Sequence, residues 1–400
     1  MLRIVSIVGA LALLASTALG QTNDQPITIG VLNDMSGNFA DQSGPGSVVA
    51  ARLAVEEFGG RVLGREIKII GGDHQNKPDV ASALARRWYD TQGVDLIVDT
   101  PNSGTALAVQ QVANERGKIN IVTTAGSVQL TGKSCSATGF HWVWDTYSNS
   151  AGLVKALAKA KIESWYFITA DYAFGHALET DFRKAIEATG GKVVGGARHP
   201  VGNMDFSSLL LSAQTSGAKA IVVANGGNDI VNTLKTANEF GLPASGIRFV
   251  APATFLTDVK SMGLDVANGL TFVDGFYWDL DDASRRFGKA FFDRHSAMPT
   301  MGQAGAYSAV RHYLAAVKAA GTTDPQQVAR KMREMPVQDD VIRNGKLRAD
   351  GRLVHDMYLA EVKKPAESKG PWDLEHIHET LNGDDVFRPL SESDCPLLKR

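Results

Sequence analysis

The sequence predicts an α/β fold made of two doubly wound parallel-sheet lobes. Three observations carry this. Short apolar runs alternate with amphipathic stretches from Ile27 onward, the alternation restarts after about residue 146, and no long Pro/Gly/Ser linker parts the two halves. A right-handed βα series builds a parallel sheet with helices on both faces.

In the first unit, Ile27–Leu32 reads as a buried strand. Ser47–Phe58 follows as a helix, with Val48, Ala51, Leu53, Ala54, Val55 and Phe58 forming its apolar stripe. Ile67–Ile70, Leu96–Val98 and Asn120–Thr123 are strands, separated by helices over Pro78–Asp90 and Thr105–Arg116. In the second unit, helices over Gly152–Lys161, Gly175–Thr189, Phe206–Thr215 and Asp229–Phe240 alternate with strands at Trp165–Ile168, Lys192–Val194, Ala220–Val223 and Phe249–Val250. The remainder is not a third such unit. Helices are expected near Ala283–His295, Met301–Ala320 and Pro325–Met335. A hairpin follows, pairing Arg343–Arg348 with Leu353–Val362 around an Asp350-Gly351 turn. From Lys363 the tail is polar and proline-rich and reads as irregular. Without a linker, the two units share several short crossings and enclose a cleft.

The first twenty residues read as an export signal: Arg3, then a 12-residue apolar run from Ile4 to Ala15, then Ala18-Leu19-Gly20, with cleavage after Gly20. The run is too short to span a ~30 Å hydrocarbon core as a helix. No cysteine follows it, so a soluble, exported mature chain is expected, with 40 basic and 43 acidic residues. Near-neutral charge without a basic run leaves no footprint for nucleic acid. The 400-residue length and 44% hydrophobic content give sizeable cores, and two cysteines alone exclude a zinc ribbon or a CxxC pair.

Enzymatic constellations are missing. Thr131-Gly132-Lys133-Ser134 lacks the glycine that a phosphate loop needs at Ser127, and Gly44-Pro45-Gly46 is no dinucleotide fingerprint. Neither HExxH nor GxSxG occurs. His376 and His378 lie in the polar tail, and paired acids such as Asp281-Asp282 sit at turns, where Asp caps helices. No enzyme activity and no cofactor are expected.

Several segments, in this order and spacing, resemble the leucine/isoleucine/valine-binding type of periplasmic solute-binding protein that serves ABC importers. They are Ile29–Gly37, Ala51–Glu57, Asp171-Tyr172-Ala173-Phe174-Gly175, Asp205–Leu209 and Ala224-Asn225-Gly226-Gly227. The resemblance runs from about residue 26 to 362. It implies the type I periplasmic binding protein fold: two lobes joined by a three-crossing hinge, closing on a small solute. The lobes would comprise 26–145 plus about 276–352, and 146–275 plus about 353–362, with 363–400 as an irregular tail. The implied setting is the periplasm, the implied partner a membrane permease, and the implied state a monomer. The alternative is a sensory or regulatory binding module of the same fold.

Ligands of open parallel sheets sit beyond the strand C-termini. By resemblance, Ser103, Thr124 and Gly126 stand at the carboxylate site, flanked by Asn102 and Ser127. Phe39 and Gln42 come from the first loop. Tyr172 and Phe174 resemble the lid of the second lobe, with Asn225, Gly227, Asp229 and Phe255 on the loops beside it. Leucine-binding members place an acid near Ala253-Thr254 to meet the ammonium; here the nearest acids are Asp258 and Asp229. A buried ammonium without a counter-charge is costly, so an amine-free carboxylate competes with an amino acid as ligand. Among Phe39, Tyr172, Phe174, Phe255, Phe276, Tyr277 and Trp278, about half are expected in the core. In an oxidising compartment Cys135 and Cys395 are expected to pair, fastening the tail near the hinge.

Overall fold

Strand order locates the site before any side chain does. The computed structural model describes residues 25–157 and 160–398, so the expected signal segment lies outside the described residues. Its first lobe contains β1 (Ile27–Asn33), α1 (Gly44–Phe58), β2 (Arg61–Val62), β3 (Arg65–Asp73), α2 (Pro78–Thr91), β4 (Val94–Asp99), α3 (Ser103–Glu115), β5 (Ile119–Val122) and β6 (Gly139–His141). The sheet order is β2-β3-β1-β4-β5-β6, parallel except for the β2–β3 hairpin. Ile29 lies between Ile69 and Leu96. The chain leaves β1 towards one edge and β4 towards the other, so the loops after these neighbours diverge and open a crevice.

The second lobe repeats the device with α4 (Thr146–Leu157), β7 (Ser164–Ala170), α5 (Ala173–Ala188), β8 (Lys192–His199), α6 (Ser207–Thr215), β9 (Ala220–Ala224), α7 (Asn228–Glu239) and β10 (Arg248–Val250). Its order is β10-β9-β7-β8, all parallel, with the reversal between β7 and β9.

Past β10 the sequence reading missed α8 (Leu256–Met262), α9 (Leu264–Ala267) and β11 (Thr271–Asp274). They are short, and the helices lack a full apolar repeat. Then α10 (Asp282–His295) and α11 (Met301–Ala320) return to pack on α1, followed by α12 (Pro325–Glu334). The expected hairpin is shorter than read: β12 (Lys346–Leu347) pairs with β13 (Leu353–Val354) around Gly351, at φ 87°. The rest of that arm, β14 (Met357–Val362), leaves to pair antiparallel with β11.

The tail also corrects the reading. The sequence reads as irregular over 363–400, whereas β15 (Glu375–Leu381) pairs antiparallel with β14, and α13 (Gly383–Val386) follows. Among the described residues only β14 flanks β15, so an edge strand with mostly polar side chains shows no hydrophobic alternation.

Three passages cross between the lobes and are tied together. The buried Arg352 guanidinium donates to Trp144 O at 2.9 Å and lies 3.5 Å from the Asp145 carboxylate. His355 Nε2 bonds Val143 O. Gly275 completes the cluster; a Cβ there would lie 2.3 Å from the Val143 side chain. Cys135 and Cys395 are joined as a disulfide with 5.6 Å between Cα atoms.

Candidate functional site

The loops from the two strand reversals face each other and are shut. Their facing surfaces enclose a residual cavity of about 10 Å³, lined by Phe39, Gln42, Pro101, Thr124, Gly126 and Trp144 from the first lobe and its crossing. Tyr172, Phe174, Gly226, Ala253 and Phe255 line it from the second. That is room for about one water molecule, so these side chains meet almost directly.

Backbone geometry on the first lobe is set by a buried carboxylate. Asp99 ends β4 and accepts from Asn33 Nδ2 at 2.9 Å, Thr123 Oγ1 at 2.9 Å and Thr124 Oγ1 at 2.6 Å. Burial pushes its pKa up, while these donors oppose the shift. Asp99 and Thr100 take φ of 86° and 64°, unusual for residues bearing a Cβ. The network holds the turn that aims α3 at the cleft. It also commits the Thr124 hydroxyl proton to Asp99. The backbone N–H groups of Thr124 and Gly126 have no intramolecular acceptor among the described residues.

Trp144 forms the floor. Its indole N–H donates to Thr124 O at 3.0 Å, and its ring meets Phe174 and Phe255 edge-on at 5.7 and 5.8 Å. A Cβ on Gly126 would sit 2.6 Å from this ring, which explains glycine there. Sequence reading missed Trp144, Pro101, Gly226 and Ala253. The Trp142-Val143-Trp144 run looks like core, and only the crossing turns one of its rings into the cleft.

Of the residues singled out from sequence, Phe39, Gln42, Thr124, Gly126, Tyr172, Phe174 and Phe255 come together in the lining. The others stand behind it, held by duties visible in the structure. Asn102 caps α3, accepting from Gly104 N at 2.7 Å. Ser103 Oγ accepts from Ser127 N at 3.2 Å, tying two loops, and Ser127 caps the short turn at Val128–Leu130. Asn225 bonds His199 and Thr233 inside the second lobe. Gly227, at φ 65°, lies against Asn38 of the first lobe. Phe276, Tyr277 and Trp278 lie outside the lining, and Tyr277 and Trp278 contact the tail around Trp372 instead.

Both acids near the cleft are engaged. Asp229 accepts from Gly202 N through both oxygens, at 3.0 and 3.1 Å, and burial raises its pKa to about 7. Asp258 accepts from Phe255 N at 2.9 Å and from Gln42 Nε2 at 2.8 Å, and burial likewise raises it to about 7. Tyr172 is pushed well up by burial and by nearby Asp229.

Residues 26–370 match the family model described as periplasmic binding protein. The chain belongs to the periplasmic binding protein family. A periplasmic binding protein from Burkholderia mallei is 43% identical, with a TM-score of 0.91 over 93% of this chain and 99% of that one. A branched chain amino acid ABC transporter periplasmic ligand-binding protein from Burkholderia xenovorans is 42% identical, with a TM-score of 0.83 over the same shares. The Leu/Ile/Val-binding protein homolog 1 of Brucella abortus is 25% identical over 311 residues, covering 73% of this chain and 80% of its own length. The fold is that of a type I periplasmic binding protein, and family membership makes this chain an ABC-transporter solute-binding protein. No helix among the described residues is long and apolar enough to cross a membrane.

Proposed function

We propose that this chain is the periplasmic receptor of an ABC importer and that its cleft closes on a small carboxylate with an apolar, aromatic-compatible body and no ammonium group. The cleft lining carries the reading. It contains five aromatic rings and no Asp, Glu, Lys or Arg. Asp229 and Asp258 lie outside the lining: both Asp229 oxygens accept from Gly202 N, and Asp258 accepts from Phe255 N and Gln42 Nε2 through Oδ2. An ammonium enclosed there would lose its hydration without gaining an anion.

The carboxylate end is assigned to the first lobe, where the N–H groups of Thr124 and Gly126 lack acceptors among the described residues and the positive end of α3 lies behind. Trp144, Phe174 and Phe255 would take the apolar body. Closure brings Phe39 to Tyr172, at 6.4 Å between ring centroids, and hides the solute from water. The permease then reads the closed lobes; no bond is made or broken.

The amino-acid reading has specific support from the Burkholderia xenovorans and Brucella proteins, whose names point to branched-chain amino acids. It requires an ammonium to reach past the lining to Asp258, whose Oδ2 is held by Gln42 and Phe255 N. A thermal-shift panel on ligand-stripped protein decides between them. Solute at 100 times its Kd stabilises by ~2.7 kcal/mol. Benzoate-type or branched aliphatic carboxylates should raise Tm while leucine, isoleucine and valine do not. The reverse pattern overturns the amine-free reading and makes Asp258 the ammonium partner.

A further inference from the structure

We infer that the C-terminal tail is a fourth, disulfide-fastened passage between the lobes and limits how far they open. The tail leaves the second lobe at the end of β15 and runs over the three crossings. Gly383 passes so close to His355 O that a Cβ there would lie 2.5 Å away. Phe387, 2% exposed, lies under the Arg352 guanidinium at 4.6 Å from its ring centre. Arg352 belongs to the third crossing and grips the first through Trp144 O.

The next residue holds both lobes at once. Arg388 Nη2 pairs with Asp181 of α5 at 3.1 Å, and Asp181 also accepts from Thr146 Oγ1 at 2.6 Å. The Arg388 carbonyl accepts from Arg348 Nη1 at 2.6 Å, on the β12–β13 hairpin. That hairpin extends the first lobe, since His141 N on β6 donates to Gly351 O at 3.0 Å. Seven residues later the chain is covalently fixed to the first lobe through Cys395 and Cys135.

The span between the Arg388 anchor and Cys395 contains a tight 3₁₀ turn at Leu390–Glu392, so it carries little slack. Wide separation of the lobes must unwind this turn or break the Arg388–Asp181 pair. Without the disulfide, the tail end keeps its hold on the first lobe through the bond from Arg348 to the Arg388 carbonyl, and the restraint weakens. A tail anchored only for its own sake would need no ionic contact with the second lobe beside a covalent one with the first.

The test compares ligand-free oxidised protein with three forms: folded protein reduced by a phosphine, C135S/C395S, and R388A with the disulfide intact. Small-angle scattering and amide exchange are measured on each. The expected result is a larger radius of gyration and severalfold faster exchange at residues 124–127 and 225–228, with β1 and β7 unchanged. Faster exchange confined to residues 382–398 overturns the proposal, because the bond then orders the tail alone. Uniform acceleration that includes β1 and β7 also overturns it, because the bond is then a global stabiliser. The reduced wild-type protein keeps the test valid if the double variant does not fold.

Discussion

Gln42 of the first lobe donates its side-chain amide to Asp258 of the second at 2.8 Å, joining the mouth of the cleft through two buried side chains. The same carboxylate accepts from the Phe255 backbone at the start of α8. One acid therefore caps a helix, orders a loop bearing a cleft aromatic, and latches the lobes.

Burial raises the Asp258 pKa to about 7, well above its unfolded value near 3.9. The folded form therefore binds this proton more tightly. Its stabilisation is full below about pH 4 and is lost as pH rises towards 7. Asp258→Asn keeps an acceptor for Phe255 and removes the titration. Its stability advantage over wild type should grow from pH 4 to 7 and level off above, with a ceiling on the order of 4 kcal/mol. Calorimetry at one-unit pH steps checks this; a constant difference would show that folding does not shift the Asp258 pKa.

Gly227 should matter to closure more than to folding. A Cβ there would lie 2.2 Å from Asn38 O on the other lobe, whereas at Gly226 the nearest atom is 3.8 Å away. Gly227→Ala adds about 1 kcal/mol of backbone strain in both open and closed forms, and the collision arises only on closing. Solute affinity should fall roughly 5- to 150-fold with a modest Tm change, while Gly226→Ala stays near wild type. Calorimetric titration with the solute found by thermal shift reads both variants.

Trp144 couples the hinge to the candidate carboxylate loop. Trp144→Ala removes the bond to Thr124 O and both edge contacts to the second lobe, and should cost about 3–5 kcal/mol. Trp144→Phe retains most of the packing and should lose about 1 kcal/mol with the hydrogen bond. Urea midpoints separate them. Equal losses would mean that the indole N–H, not the ring, is what holds the loop.

The double βα repeat was readable because buried parallel strands are short apolar runs and their helices carry clear stripes. Met301–Ala320 was read to the residue for that reason. Helix α1 begins earlier than read, at Gly44, because Pro45 is tolerated in a first turn and Gly46 lies against Gln303, where a Cβ would be 2.3 Å away. Nothing local signals that contact. The cleft divided along the same line. Aromatics after β7 and β10 were visible as loop residues, but Trp144 needed the crossing to turn it inward. Ser103, Asn102 and Ser127 carry the expected chemistry and also accept backbone N–H bonds that order their own loops, a second duty that spacing alone does not reveal. Position along a strand end was legible; the direction of each side chain was not.

Arg352 should be the side chain on which the hinge depends most. It is 1% exposed, bonds Trp144 O and Leu353 O at 2.9 Å each, and stands 3.5 Å from Asp145, itself 3% exposed. Burial lowers its pKa only to about 10, so it stays charged at neutral pH. Arg352→Met leaves Asp145 buried without its cation, a loss of about 3–5 kcal/mol. Asp145→Asn retains an acceptor for Ser148 N, the bond that starts α4, and removes the stranded charge. The double variant should therefore be more stable than the sum of the single losses predicts, with a coupling of about 0.5–3 kcal/mol. Urea denaturation of all four proteins measures that coupling. Additive losses would mean that the hydrogen bonds to Trp144 O and Leu353 O, not the ion pair, lock the first crossing to the third.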